Sequence, residues 1–147
     1  MGIRDVDVNP NNPYYMVTGG DDSRVCFWDT RNVSAPVATF SKHQHWVTRV
    51  KYNSFKDALV LSAGSCGVVN LWNMNSIAFQ NPSMDKDMLK VPIADHHVRS
   101  FADHEDGITS IAWSCANANS WLFASLSYDG RVIINRVPES EVKSLME

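Results

Sequence analysis

The chain has 147 residues, 44% of them hydrophobic, and a formal net charge of −3. That is enough apolar material for the core of one small domain, and too little positive charge to draw nucleic acid or anionic lipid by bulk attraction. No apolar run reaches the roughly 18 residues of a membrane helix, the start MGIRDVDVNP has no apolar core of a signal peptide, and Val6 stands where myristoylation requires Ser or Thr.

Cys26, Cys66 and Cys115 are odd in number and form no C-x-x-C, so neither a disulfide framework nor a zinc knuckle is expected. A reducing, intracellular compartment fits this usage. Asn32-Val33-Ser34 has the form of a glycosylation sequon, which such a compartment would leave unused.

In chain order, short β-rich runs recur between Gly, Asp and Asn. The first pair is Tyr14 to Gly20 and Arg24 to Asp29, the second Ala58 to Gly64 and Val68 to Asn73, the third Trp121 to Ser127 and Arg131 to Arg136. A few small polar residues separate the members of each pair, the pattern of a hairpin. Helical spacing is not sustained, so the chain reads as all-β.

The pairs also align with one another. Val25, Val69 and Val132 share a column, as do Phe27, Leu71 and Ile134, and upstream Ile3, Val47 and Ile108. The first repeat maps onto the second with a shift of about 44 residues, a propeller-blade period. The third is displaced further by an insertion at about 74–97, which is polar, lacks period-2 alternation and reads as a long loop. Its Asp85, Lys86, Asp87 and Lys90 form a candidate docking segment. The expected units are a repeat over 1–41 with its leading edge cut, a repeat over 42–101 carrying the insertion, a last repeat over 102–138 lacking its fourth strand, and a C-terminal tail over 139–147.

Trp28-Asp29 closes the first repeat and Trp72-Asn73 the second, while the third ends Asn135-Arg136; His43 and His104 precede the second and third. By these residues the chain resembles the WD-repeat family. The resemblance implies a partial β-propeller of three WD-type blades, four-stranded and antiparallel, with the first and last incomplete, as a piece of a seven-bladed ring. Three blades do not close a ring. The open blade edges lead us to expect self-association.

The family's blades hold a buried chain of Asp, His, Ser or Thr, and Trp, in which each polar group meets the next. Here the resemblance places Thr18, Asp22 and Trp28 in the first repeat, whose His would precede Met1. It places His43, Ser62 and Trp72 in the second, with Cys66 in the Asp position. The third has His104, Ser125 and Asp129, with Asn135 in the Trp position. These are expected to be structural groups, not ligands or bases.

On one propeller face lie the loops that enter the first strand and those joining the second and third. Asp21, His45, Trp46, Ser65 and Tyr128 map there, with Trp46 and Tyr128 as aromatic anchors for a partner. Packing between blades is the alternative role for Trp46. On the opposite face, Trp28-Asp29-Thr30-Arg31 matches the W-D-x-R string of family members that serve as cullin-4 ligase substrate receptors, which makes Arg31 a second candidate contact.

No nucleotide-binding, hydrolase or zinc-protease motif occurs, and adjacent His96 and His97 would point to opposite faces of a strand. No catalytic residue, cofactor site or metal site is therefore assigned, and scattered basic residues argue against nucleic acid. The phrases WDTRNV and FASLSYDGR resemble the C-terminal portion of WD-repeat proteins that bind multisubunit vesicle-tethering complexes. That resemblance implies a non-catalytic scaffold in endosomal recycling and retrograde transport to the trans-Golgi network. The expected location is cytoplasmic and peripheral to those membranes, with no insertion. The cullin-4 receptor and a generic interaction module such as a histone binder are the other readings.

Overall fold

The computed structural model describes residues 1–78 and 94–146. They form three antiparallel sheets and one short helix. The first sheet runs β1 (Ile3–Val8), β2 (Tyr15–Gly20), β3 (Val25–Asp29) and β4 (Ala38–Phe40). The second runs β5 (Val47–Tyr52), β6 (Leu59–Gly64), β7 (Val69–Asn73) and β8 (His96–Phe101). The third holds β9 (Ile108–Trp113), β10 (Leu122–Ser127) and β11 (Val132–Arg136). Each strand pairs with its sequence neighbour, so every sheet is a meander.

Turn chemistry makes the three sheets alike. Between the second and third strands of each, one residue takes a left-handed φ: Ser23 at 64°, Gly67 at 79° and Gly130 at 80°. Gly is suited to that region, and Ser23 tolerates it in a turn where Asp22 Oδ1 accepts the Arg24 N–H at 3.1 Å. The residue just before it is Asp22, Cys66 or Asp129, so these three side chains stand at one position of the same turn.

Alternation then sorts the side chains into layers. Val17 and Phe27 of the first sheet meet Val47, Val50, Val60 and Trp72 of the second in one buried cluster. Leu59, Leu61 and Leu71 meet Ile108, Ile111 and Phe123 of the third in another. The second sheet is therefore covered on both faces, and all of β6 is buried. Each such aliphatic side chain contributes about 1.5–3 kcal/mol by leaving water. The third sheet's far face has no cover among the described residues: Val132 is 63% exposed and Ile134 69%. Val6 and Val8 are likewise exposed on the first sheet.

The first sheet has all four strands, contrary to the expected incomplete first blade. The insertion expected to end near residue 97 ends earlier, because His96 and His97 pair with Asn73 and Trp72 as the start of β8. Met74 and Ile77, assigned to the same loop, are buried in the first cluster, with Asn75–Ile77 forming a single 3-10 turn. The docking segment at Asp85, Lys86, Asp87 and Lys90 lies outside the described residues. The tail forms α1 (Glu139–Met146), with Val142 and Leu145 packed on the second cluster. Its apolar spacing spans barely one turn and is too short to register as helical periodicity.

Candidate protein-binding face

The polar chains inside the blades link the loops to the strands behind them. In the second blade Trp72 Nε1–H donates to Ser62 Oγ at 2.8 Å, and the Ser62 hydroxyl lies 2.8 Å from His43 Nε2. Asn70 Nδ2 also reaches His43 Nε2, at 3.1 Å. Two donors on Nε2 make that nitrogen the acceptor, so the ring proton sits on Nδ1. His43 is only 6% exposed, and its Nδ1 has no partner among the described residues. In the other two blades an Asp stands at the position of Cys66. An unmet buried donor of this kind costs roughly 1–3 kcal/mol. Burial first, and nearby His97 second, push the His43 pKa down to about 4.

The third blade is complementary. His104 Nδ1 meets Asp129 Oδ2 and His104 Nε2 meets Ser125 Oγ, both at 2.9 Å. Asn135, in the Trp position, turns instead to Asp103 at 3.5 Å. Burial would raise the Asp129 pKa, but the N–H groups of Glu105 and Arg131 and the His104 ring outweigh it. The carboxyl is held well below the usual range. In the first blade only Trp28 Nε1–H to Thr18 Oγ1 remains, at 2.9 Å, and Asp22 serves its own turn.

Sequence reasoning missed Asn70. Besides His43, its Oδ1 accepts from His97 Nε2 at 3.0 Å and from Ser100 Oγ at 2.6 Å, which ties β8 to β7. The available signal was an Asn between the apolar Val69 and Leu71. His96 and His97 do diverge: His96 Nε2 meets Glu141 Oε1 of α1 at 3.0 Å.

The loops carrying Asp21, His45, Trp46 and Tyr128 gather around the innermost strands. Arg4 on β1 pairs with Asp21 and lies 4.1 Å over the Trp46 ring, joining the first blade to the second. Trp46 remains 43% exposed, so it packs between blades and still presents surface. His45 Nδ1 meets Ser65 Oγ at 2.7 Å, with its ring 5.0 Å from that of Trp46. Tyr128 is 78% exposed and lines a cleft of about 490 Å³ with Ile3, Arg4, Thr48, Arg49, Ile108 and Thr109. Arg49 spends one nitrogen on its own strand, at Thr48 O. The cleft thus has two cationic side chains and a phenol at its wall, with the indole of Trp46 against Arg4.

Arg31 is held apart from this face. Its Nε and Nη2 donate to Asp29 Oδ1 and Oδ2 at 2.9 and 2.6 Å, and it lies 4.5 Å over Tyr14. The pairing brings the Asp29 pKa down to about 2. The W-D-x-R arginine is therefore bound by the aspartate of its own motif. Among the described residues no group of three His, Cys, Asp or Glu could hold a metal ion, and no helix is long and apolar enough to cross a membrane.

Comparison with known proteins agrees with this architecture. The family model described as the EIPR1 beta-propeller matches residues 1–72, and that of the WD domain, G-beta repeat, matches residues 95–134. An EARP-interacting protein homolog of Gekko japonicus is 45% identical over 94% of this chain. Proteins named EARP and GARP complex-interacting protein 1 are 43% identical in Homo sapiens and 45% in Rattus norvegicus, again over 94% of this chain. The chain covers 39% of the length of each of these relatives. Two matching propeller models, three meander sheets and the remnants of their polar chains show WD-type β-propeller blades, and the chain is similar to the EARP- and GARP-interacting proteins.

Proposed function

We propose that this chain is part of a non-catalytic adaptor that binds a multisubunit vesicle-tethering complex of the EARP or GARP type. It would act in endosomal recycling and retrograde transport to the trans-Golgi network, from the cytoplasmic side and without entering the membrane. The names of its relatives support the partner. The observation that carries the site is the cleft where Arg4, Arg49 and Tyr128 meet, with Trp46 stacked on Arg4 at its edge. Exposed aromatic and arginine side chains around a concavity are what a protein interface uses as anchors.

Affinity capture from cells with the tagged full-length protein tests this. Wild type should recover tethering-complex subunits, and the Trp46→Ala, Tyr128→Ala double variant should recover at least about tenfold less, the loss expected of hot-spot aromatics. Unchanged recovery would move the site off this face. Recovery of a cullin-4 ligase adaptor in place of tethering subunits would replace the reading with that of a substrate receptor.

A further inference from the structure

The second blade contains a mismatch that no binding role explains. His43 points a buried Nδ1–H at the turn between β6 and β7, and finds no acceptor there. The side chain at the matching position in the third blade is Asp129, which accepts both from His104 Nδ1 and, at 3.0 Å, from the Glu105 N–H. In the second blade that position holds Cys66, a free and exposed cysteine. A methyl placed on Gly64 would lie 2.7 Å from His43 Nδ1 and 3.2 Å from Cys66 Sγ, so the orphan donor and the thiol converge on one point.

We propose that Cys66 is a peroxide-responsive modification site, whose oxidation to the sulfinate supplies the missing acceptor for His43 and completes the polar chain through Ser62 to Trp72. A cysteine sulfinate carries two oxygens on the atom beyond Cβ, as an aspartate does. The thiolate sulfur attacks one oxygen of a hydroperoxide, the O–O bond breaks, and the released hydroxide leaves as water with a proton. A second peroxide adds a second oxygen to the sulfenic acid in the same way. The resulting sulfinic acid loses its proton to solvent. Sulfur gives up two electrons at each step, and each peroxide is reduced. The exposure of Cys66 admits the oxidant, while the burial of His43 makes the new hydrogen bond a stabilising one.

The test uses the full chain with Cys26→Ser and Cys115→Ser, treated with hydrogen peroxide and followed by residue-resolved mass spectrometry, thermal unfolding and NMR of the His43 ring proton. Oxidation of Cys66 should raise Tm by a few degrees and slow exchange of the Nδ1 proton. Cys66→Asp should show both effects without peroxide, and Cys66→Ala should show neither with it. Oxidised Cys66 with an unchanged or lowered Tm would overturn the proposal. So would a Cys66 that stays reduced in peroxide, or a Cys66→Asp variant no more stable than wild type.

Discussion

Asp7 Oδ2 accepts the backbone N–H of Tyr52 at 2.8 Å, so a side chain of one blade closes the free edge of the next. Asp5 does the same for Val50 at 2.9 Å. β5 is the innermost strand of its sheet, and its inward N–H groups have no strand beside them to pair with. The alternation in Ile3–Val8 therefore has a purpose on both faces: apolar on one, acceptors for a neighbour on the other. Replacing Asp7 by Ala should cost about 1–3 kcal/mol, because it leaves a partly buried donor unmet. Chemical denaturation of the two variants Asp7→Ala and Asp7→Asn would show whether an acceptor suffices, with Asn retaining most of the stability.

Gly19 of the first blade packs against Val47 and Val50 of the second. A Cβ there would lie within the Val47 side chain, 2.9 Å from its Cβ and 3.2 Å from Val50 Cγ1. Both valines are fully buried and have nowhere to move. Gly19→Ala should destabilise by about 1–3 kcal/mol through overpacking. Gly130→Ala meets nothing within 4 Å but must hold a φ of 80°, so its cost should be the smaller, local one of a strained turn. Thermal unfolding of the two variants side by side checks the order.

His43 makes the fold sensitive to mild acid. Its folded pKa, about 4, lies below the ordinary value of 6.5, so the folded state favours the neutral ring. The neutral ring's advantage is complete above pH 6.5 and is lost as pH falls from 6.5 toward 4. Linkage over that interval amounts to about 3 kcal/mol. His43→Gln should remove this limb of the stability curve between pH 7 and 4.5. Asp129 acts lower: its depressed carboxyl stabilises above the ordinary carboxylate range and ceases to do so in stronger acid.

Glu141 anchors α1. Its Oε2 accepts from Asn73 Nδ2 and its Oε1 from His96 Nε2, each at 3.0 Å. Glu141→Ala should free the helix and speed proteolysis after Pro138, with little change in the core. The Ala94 carbonyl, and then Glu141, raise the His96 pKa. The His96 contribution is therefore present below the unfolded value and fades as pH rises through the folded one. Limited digestion of wild type at pH 6 and pH 8 should show the helix better protected at pH 6.

Much of the fold was legible because strands write their two faces into alternate residues. Val25, Val69 and Val132 could be aligned without coordinates, and so could the turn positions of Asp22, Cys66 and Asp129. The boundary near residue 97 was not legible, since His-His gives no alternation and β8 is fixed by its pairing with Asn73 and Trp72. Nor was α1, whose apolar residues gain meaning only against the cluster that receives them.

The sequence by itself determined the three β repeats and the columns that carry their polar chains, because hairpins are local and their period is printed along the chain. Only the tertiary structure decided which donor each acceptor meets. Asp5 and Asp7 serve β5, Asn70 joins His43 to β8, and Arg4 stacks on Trp46. These partners are far apart in sequence, and the packing of whole sheets sets their distances.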